Sequence, residues 1–206
     1  IATPRYGQKR RTILLDESEW RTTSAAVVRA LGLREADVVD AESLASAIDQ
    51  AEPEAARERA LRLLGSRERS AHELSRKLLD DGYPDGVVHA VVSRFRDCLL
   101  VDDSRFAESV ARGAVEGRQL GRERILRTLA DAGVDLETIE RVVDAHAPAE
   151  GELARATALA QRFAARIDDP RKIAQRLIRK GFAPSVAFSA VRAVRDEDLG
   201  DDEQGL

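Results

Sequence analysis

The sequence predicts a mainly α protein of three tandem three-helix repeats, forming an elongated curved rod behind a small N-terminal β-hairpin with short helices. Two observations carry that expectation. A helix–glycine–helix unit occurs three times at near-constant spacing, and the composition is rich in Ala, Leu, Val and Arg with only 4% aromatic residues. At 43% hydrophobic, 206 residues hold enough apolar material for a core, and small side chains of this kind suit packed helices better than a β-sandwich.

Residues 1–53 stand outside the repeat. Residues 12–15 (TILL) and 19–22 (EWRT), joined through Asp16, Glu17 and Ser18, read as a β-hairpin, although the turn lacks the glycine that a tight primed turn favours. Residues 24–31 predict a helix stopped by Gly32, and residues 41–51 a second helix capped by Asp40. The repeats are expected at 54–101, 102–149 and 150–195, and an acidic, disordered tail at 196–206.

Segments 70–92, 121–143 and 171–191 superpose without gaps. Leu74, Ile125 and Ile173 match, as do Leu78, Leu129 and Leu177, four residues later on the same helical face. Gly82, Gly133 and Gly181 follow, 51 and 48 residues apart, where a helix ends in a left-handed residue. The next residue, Tyr83, Val134 or Phe182, is placed to fold back on the helix. A second helix comes after it, with Pro84 and Pro184 suited to a first turn and Val88, Val91 and Val92 matched by Ile139, Val142 and Val143. Each pair is preceded by a further helical stretch, at 55–64, 105–115 and 153–167. Asp102 or Asp103 suits the N-cap of the second of these. Such short helices draw their stability from packing.

The chemistry-bearing residues point away from catalysis. His72, His89 and His146 lack metal-ligand spacing, and no phosphate-binding glycine loop is present, so no enzyme, metal or cofactor is expected. Cys98, the single cysteine, sits in an apolar CLLV run and reads as a buried structural thiol. With no signal peptide and no apolar run approaching about 20 residues, the expected location is the cytoplasm, away from any membrane. The chain starts at Ile1, so residues are expected to precede it.

The net charge of −4 is unevenly spread: residues 150–194 carry 9 basic and 4 acidic groups, and residues 195–206 carry 1 and 6. With Ile173 facing the core, Lys172, Arg176 and Arg179 fall on the opposite face, with Lys180 near its edge. Arg124 and Arg127 point outward in the same register of the second repeat, and Arg76 and Lys77 do so in the first, beside Glu73 and Asp80. Arg118 and Arg122 add charge just before the second of these helices. If the repeats stack side by side, the nine of these residues other than Lys180 form a basic stripe. Arginine, 29 residues against 4 lysines, suits two-pronged contact with carboxylate or phosphate.

The ordered set of residues resembles the RecX family. Ala60-Leu61-Arg62-Leu63-Leu64, then Arg67-Glu68-Arg69-Ser70, Glu73-Leu74 and Lys77-Leu78, is similar to the family's start. Val101-Asp102-Asp103-Ser104-Arg105-Phe106-Ala107 is similar to its most recognisable stretch, and Gly121, Arg124-Ile125, Leu129 and Gly133 to the segment after it. The hairpin and its two short helices resemble the N-terminal extension of longer members, so the likeness spans about residues 10–194. Gln119 and Arg122 stand where the resemblance leads one to expect glycine and proline around Leu120 and Gly121.

The resemblance implies a monomeric negative regulator of the RecA recombinase. Such a protein binds the groove of the RecA filament on single-stranded DNA and lowers ATP hydrolysis, strand exchange and co-protease activity, within homologous recombination, DNA repair and the SOS response. Weak direct DNA binding is compatible with it. The nine stripe residues are the candidate contacts to acidic RecA surface or DNA phosphate. The rival reading is a direct DNA-binding protein with helix-turn-helix-like repeats; the negative net charge and the lack of a base-reading cluster of Asn, Gln and Arg count against it.

Overall fold

In the computed structural model, which describes residues 9–203, strands β1 (Arg10–Leu15) and β2 (Ser18–Ser24) pair antiparallel with Leu15 opposite Ser18. The two-residue loop requires positive φ at both positions. Asp16 and Glu17 adopt 49° and 66° without any glycine, and the register shifts between Ile13 and Leu14. Ile13 points into the core. Helix α1 (Ala25–Ala30) follows, capped by the Ser24 hydroxyl accepting from the Val27 amide and stopped at Gly32, φ 66°.

The next helix departs from expectation. Residues 41–51 and 55–64 are one helix, α2 (Ala41–Leu64), capped by Asp40 and passing through Pro53. The expected boundary at 53/54 therefore falls inside a helix. An interior proline costs about 3 kcal/mol, so tertiary contacts must hold the helix straight through it. Buried positions Leu44, Ile48, Glu52, Ala56 and Ala60 recur every fourth residue. Glu52, 1% exposed, accepts from Thr23 Oγ1 at 2.7 Å and from Arg21 at 3.0 Å, and Arg21 also reaches Asp49 at 2.5 Å. These contacts clamp the hairpin to α2 in the turn just before Pro53.

Six helices then form three pairs: α3 (Ala71–Asp80) with α4 (Asp85–Asp97), α6 (Arg122–Asp131) with α7 (Leu136–His146), and α9 (Pro170–Arg179) with α10 (Pro184–Glu203). Helices α5 (Asp103–Arg112) and α8 (Glu152–Ala164) precede the second and third pairs. The first helix of each pair ends alike. Gly82, Gly133 and Gly181 have φ of 96°, 72° and 92°. The next amide, of Tyr83, Val134 or Phe182, returns to the carbonyl of Leu78, Leu129 or Leu177 at 3.2 Å in every case, and all three side chains are buried. Paired returns of this kind close a helix end and satisfy its last carbonyls.

Three details differ from the sequence reading. Helix α5 gives way at Arg112 to a π-turn, Gly113–Gly117. Cys98 is exposed, not buried: it caps α4, Leu99 turns left-handed at φ 57°, and Leu99 is 68% and Leu100 46% exposed, so only Val101 of the run enters the core. Helix α10 continues to Glu203, so residues 196–203 are helical where an aperiodic tail was expected; residues 204–206 lie outside the described residues.

The described residues divide into two compact units, one ending at Asp103 and the other beginning at Ser104. In the first, one core joins Ile13, Val27 and Ile48 to Leu74, Leu78, Tyr83 and Phe95. The second holds two cores, one around Phe106, Ile125, Leu129 and Val142, the other around Leu159, Ile173, Leu177 and Phe182.

Candidate functional site

The start of α6 meets the end of α9 through main chain. Gly121 donates to the Lys180 carbonyl at 2.9 Å and Glu123 to the Gly181 carbonyl at 3.2 Å, so two free amides of the α6 N-terminus find partners at the end of α9. The approach is so close that a Cβ on Gly121 would fall on the Gly181 carbonyl, and one on Gly181 on the Cβ of Arg124.

Carboxylates secure two helix starts in parallel fashion. Asp103, the first residue of α5, accepts from Ala71, the first amide of α3, at 2.8 Å. Glu152, the first residue of α8 and buried, accepts from Arg122, the first amide of α6, at 2.9 Å. A negative charge at a helix N-terminus is stabilising. In α9 the equivalent position is Pro170, which has no amide to satisfy. Asp103 is thus a capping residue, though for α3 rather than its own helix, and it lies 3.5 Å from Arg96. Among the described residues no three His, Cys, Asp or Glu side chains come together as a metal site would require.

Of the nine candidate contacts, Arg76, Lys77, Arg118, Arg124, Arg127, Arg176 and Arg179 are exposed, and no carboxylate of the described residues lies within ion-pair distance of them. Arg76 and Arg127 occupy the same repeat position, as do Lys77 with Arg176 and Arg124 with Lys172. Lys172 is exposed and 4.0 Å from Asp169. Arg122 is different. Its guanidinium is half-buried and bonded to Asp144 at 2.5 Å and to the Ala147 carbonyl at 3.1 Å, so it ties α6 to the end of α7 and is a structural residue.

In the second unit the Lys180 Nζ donates to the Arg118 carbonyl at 2.5 Å, with Arg176 and Arg162 nearby. Burial, then the charges of Arg176 and Arg162, pull the Lys180 ammonium below its usual value. Beside it lies an open groove of about 510 Å3 walled by Arg162, Arg166, Arg176 and Lys180, with Phe163 and Gln119 in its lining. Arg176 stacks over the Phe163 ring, 4.5 Å from its centre. Gln119 takes a left-handed φ of 52°, which costs a non-glycine residue roughly 1–2 kcal/mol, and its Oε1 accepts from Arg162 at 2.9 Å. Sequence reasoning missed Arg162, Arg166, Phe163 and Gln119. The available signal was the net positive charge of residues 150–194, which α9 alone does not account for.

Tandem three-helix domains with cations on their exposed faces define this chain as a helical-repeat protein with a basic surface. Two stretches match domain models of one family: residues 56–95 match "RecX, first three-helix domain" and residues 102–143 "RecX, second three-helix domain". The chain is 38% identical over 154 residues to the regulatory protein RecX of Halorhodospira halophila, covering 71% of this chain and 93% of that one. It is 33% identical over 137 residues to the regulatory protein RecX of Thermobifida fusca, covering 64% and 74%. The chain belongs to the RecX family of regulatory proteins. A crystal structure of regulatory protein RecX shares the fold at a TM-score of 0.58 and 22% identity over 93% of this chain and 95% of that one. RecX from Lactobacillus salivarius shares it at 0.55 and 21%, over 70% and 97%.

Proposed function

We propose that this chain restrains the RecA recombinase: it binds the groove of the RecA filament on single-stranded DNA and lowers ATP hydrolysis, strand exchange and co-protease activity. The observation that carries the reading is the recurrence of exposed cations without carboxylate partners at matched positions of α3, α6 and α9, in a member of a family of regulatory proteins. A surface of this kind acts without bond chemistry. By binding one state of a filament more tightly than another, it shifts the population toward that state. Spreading modest contacts over several filament subunits raises the total affinity.

Direct reading of duplex DNA by helix-turn-helix units fits less well. The second helix of such a unit enters the major groove. In α7 the exposed face carries Glu137, Glu140 and Asp144 against Arg141, a charge balance that phosphate repels.

Co-sedimentation of the full chain with nucleotide-loaded RecA filaments tests the reading. Recovery with the filament, lost as salt is raised, is the expected result. A chain left in the supernatant at all salt concentrations would overturn it.

A further inference from the structure

The geometry points to the groove between α8 and α9 as a binding site for the backbone phosphates of a single-stranded nucleic acid, with Gln119 as the residue that positions Arg162 in it. This goes beyond the inhibition proposed above, because it assigns a ligand to Arg162, Arg166 and Gln119, which lie outside the repeated stripe, together with Arg176 of the stripe, and needs no filament.

Four cationic side chains wall the groove, and no carboxylate lines it. Two other arginines of the second unit have carboxylate partners, Arg122 with Asp144 and Arg141 with Glu108. Here the charges lie near one another without a carboxylate between them, and Lys180, lowered first by its burial, is lowered further by Arg176 and Arg162. An anion between them would relieve that repulsion. Guanidinium groups grip phosphate oxygens in a two-pronged way, and three of the four walls are arginine.

The aromatic element favours a nucleic acid over an acidic peptide. Arg176 sits over the Phe163 ring, and unstacked bases lie on arginine planes and aromatic rings of this kind.

Gln119 adds an independent observation. Its left-handed backbone is one that glycine adopts without strain, yet the chain carries a glutamine there. Its side chain does one visible thing, which is to accept from Arg162. That bond fixes Arg162 at the groove mouth and leaves the glutamine amide group as a further donor toward an anion.

Fluorescence anisotropy of a labelled oligo(dT) strand with the full chain and no RecA tests this, using Arg166→Glu, Gln119→Gly and, as a control of equal charge change on α4, Arg94→Glu. The expected result is that Arg166→Glu weakens binding about tenfold and lowers the slope of log affinity against log salt by about 0.7 per lost phosphate contact, whereas Arg94→Glu shifts affinity slightly and leaves the slope alone. Gln119→Gly should weaken binding while leaving the melting temperature equal or higher, a combination that a merely structural glutamine would not give. Equal affinity and slope for Arg166→Glu and the wild type would overturn the site. So would a polyglutamate peptide that competes for Arg166-dependent binding better than the oligonucleotide, since the groove would then be built for acidic protein. Unchanged affinity in Gln119→Gly would overturn the positioning role. Each of these readouts is independent of filament inhibition.

Discussion

Replacing Gly121 by alanine adds one methyl group at the tightest approach between α6 and α9. The backbone there, φ −75° and ψ 161°, accepts any residue, so the perturbation is purely steric. The added Cβ would fall on the main chain of Gly181 and Phe182, which cannot swing aside as a side-chain tip can. Relief requires α6 to back away, stretching the bonds from Gly121 to the Lys180 carbonyl and from Glu123 to the Gly181 carbonyl. Those two bonds contribute about 1–3 kcal/mol together. Overpacking costs about 1–3 kcal/mol more, and the stiffer unfolded chain returns about 0.4–1 kcal/mol. The net loss expected is about 3 kcal/mol. Urea unfolding of the full chain followed by circular dichroism measures it, with faster hydrogen exchange at the Gly121 and Glu123 amides as the local signature. Gly32→Ala is the comparison: Gly32 has φ +66° and nothing near its Cβ, so backbone strain alone should cost about 1–2 kcal/mol. A Gly121→Ala protein within about 0.5 kcal/mol of the wild type, with both amides still protected, would refute the claim that this junction is made by main-chain contact.

Other outcomes follow from the same physics. Leu177→Ala, at a fully buried position of the third repeat's core, should cost about 2–5 kcal/mol in urea unfolding. The pair Arg124→Glu and Arg127→Glu should leave helicity unchanged, since both side chains are exposed, and weaken RecA inhibition; unaltered inhibition would remove these residues from the contact surface. Asp135 caps α7, and bonding to the Thr138 amide holds its carboxyl below the ordinary aspartate value. A depressed folded value means that its stabilisation is complete above the unfolded value of about 3.9 and is lost as pH falls through the folded one. The stability gap between wild type and Asp135→Asn should therefore shrink on acidification below about pH 4, and a gap that widens would contradict the assignment.

The parts of this fold legible in the sequence are those decided within a few residues. Each glycine and the apolar residue after it specify a local hydrogen-bond pattern, and the Asp40 cap acts three positions along the chain. What escaped was decided at a distance. Pro53 reads as a helix break because the clamp that offsets it comes from Arg21 and Thr23, about thirty residues earlier. Cys98 belongs to an apolar run, but a left-handed Leu99 turns that run outward. Arg122 stands just before the outward-facing charges of α6, yet Asp144 captures it. The groove draws on residues 119, 162–166 and 176–180, three stretches that no single helical wheel contains.

The central claim is that the matched cations of α3, α6 and α9 serve to restrain RecA. RecA ATPase on single-stranded DNA, measured as this chain is titrated in at fixed ionic strength, tests it most directly. Hydrolysis should fall to a plateau well below the uninhibited rate, with Arg124→Glu and Arg127→Glu shifting the titration to higher concentration. A rate that stays constant while circular dichroism shows the added protein to be folded would contradict it.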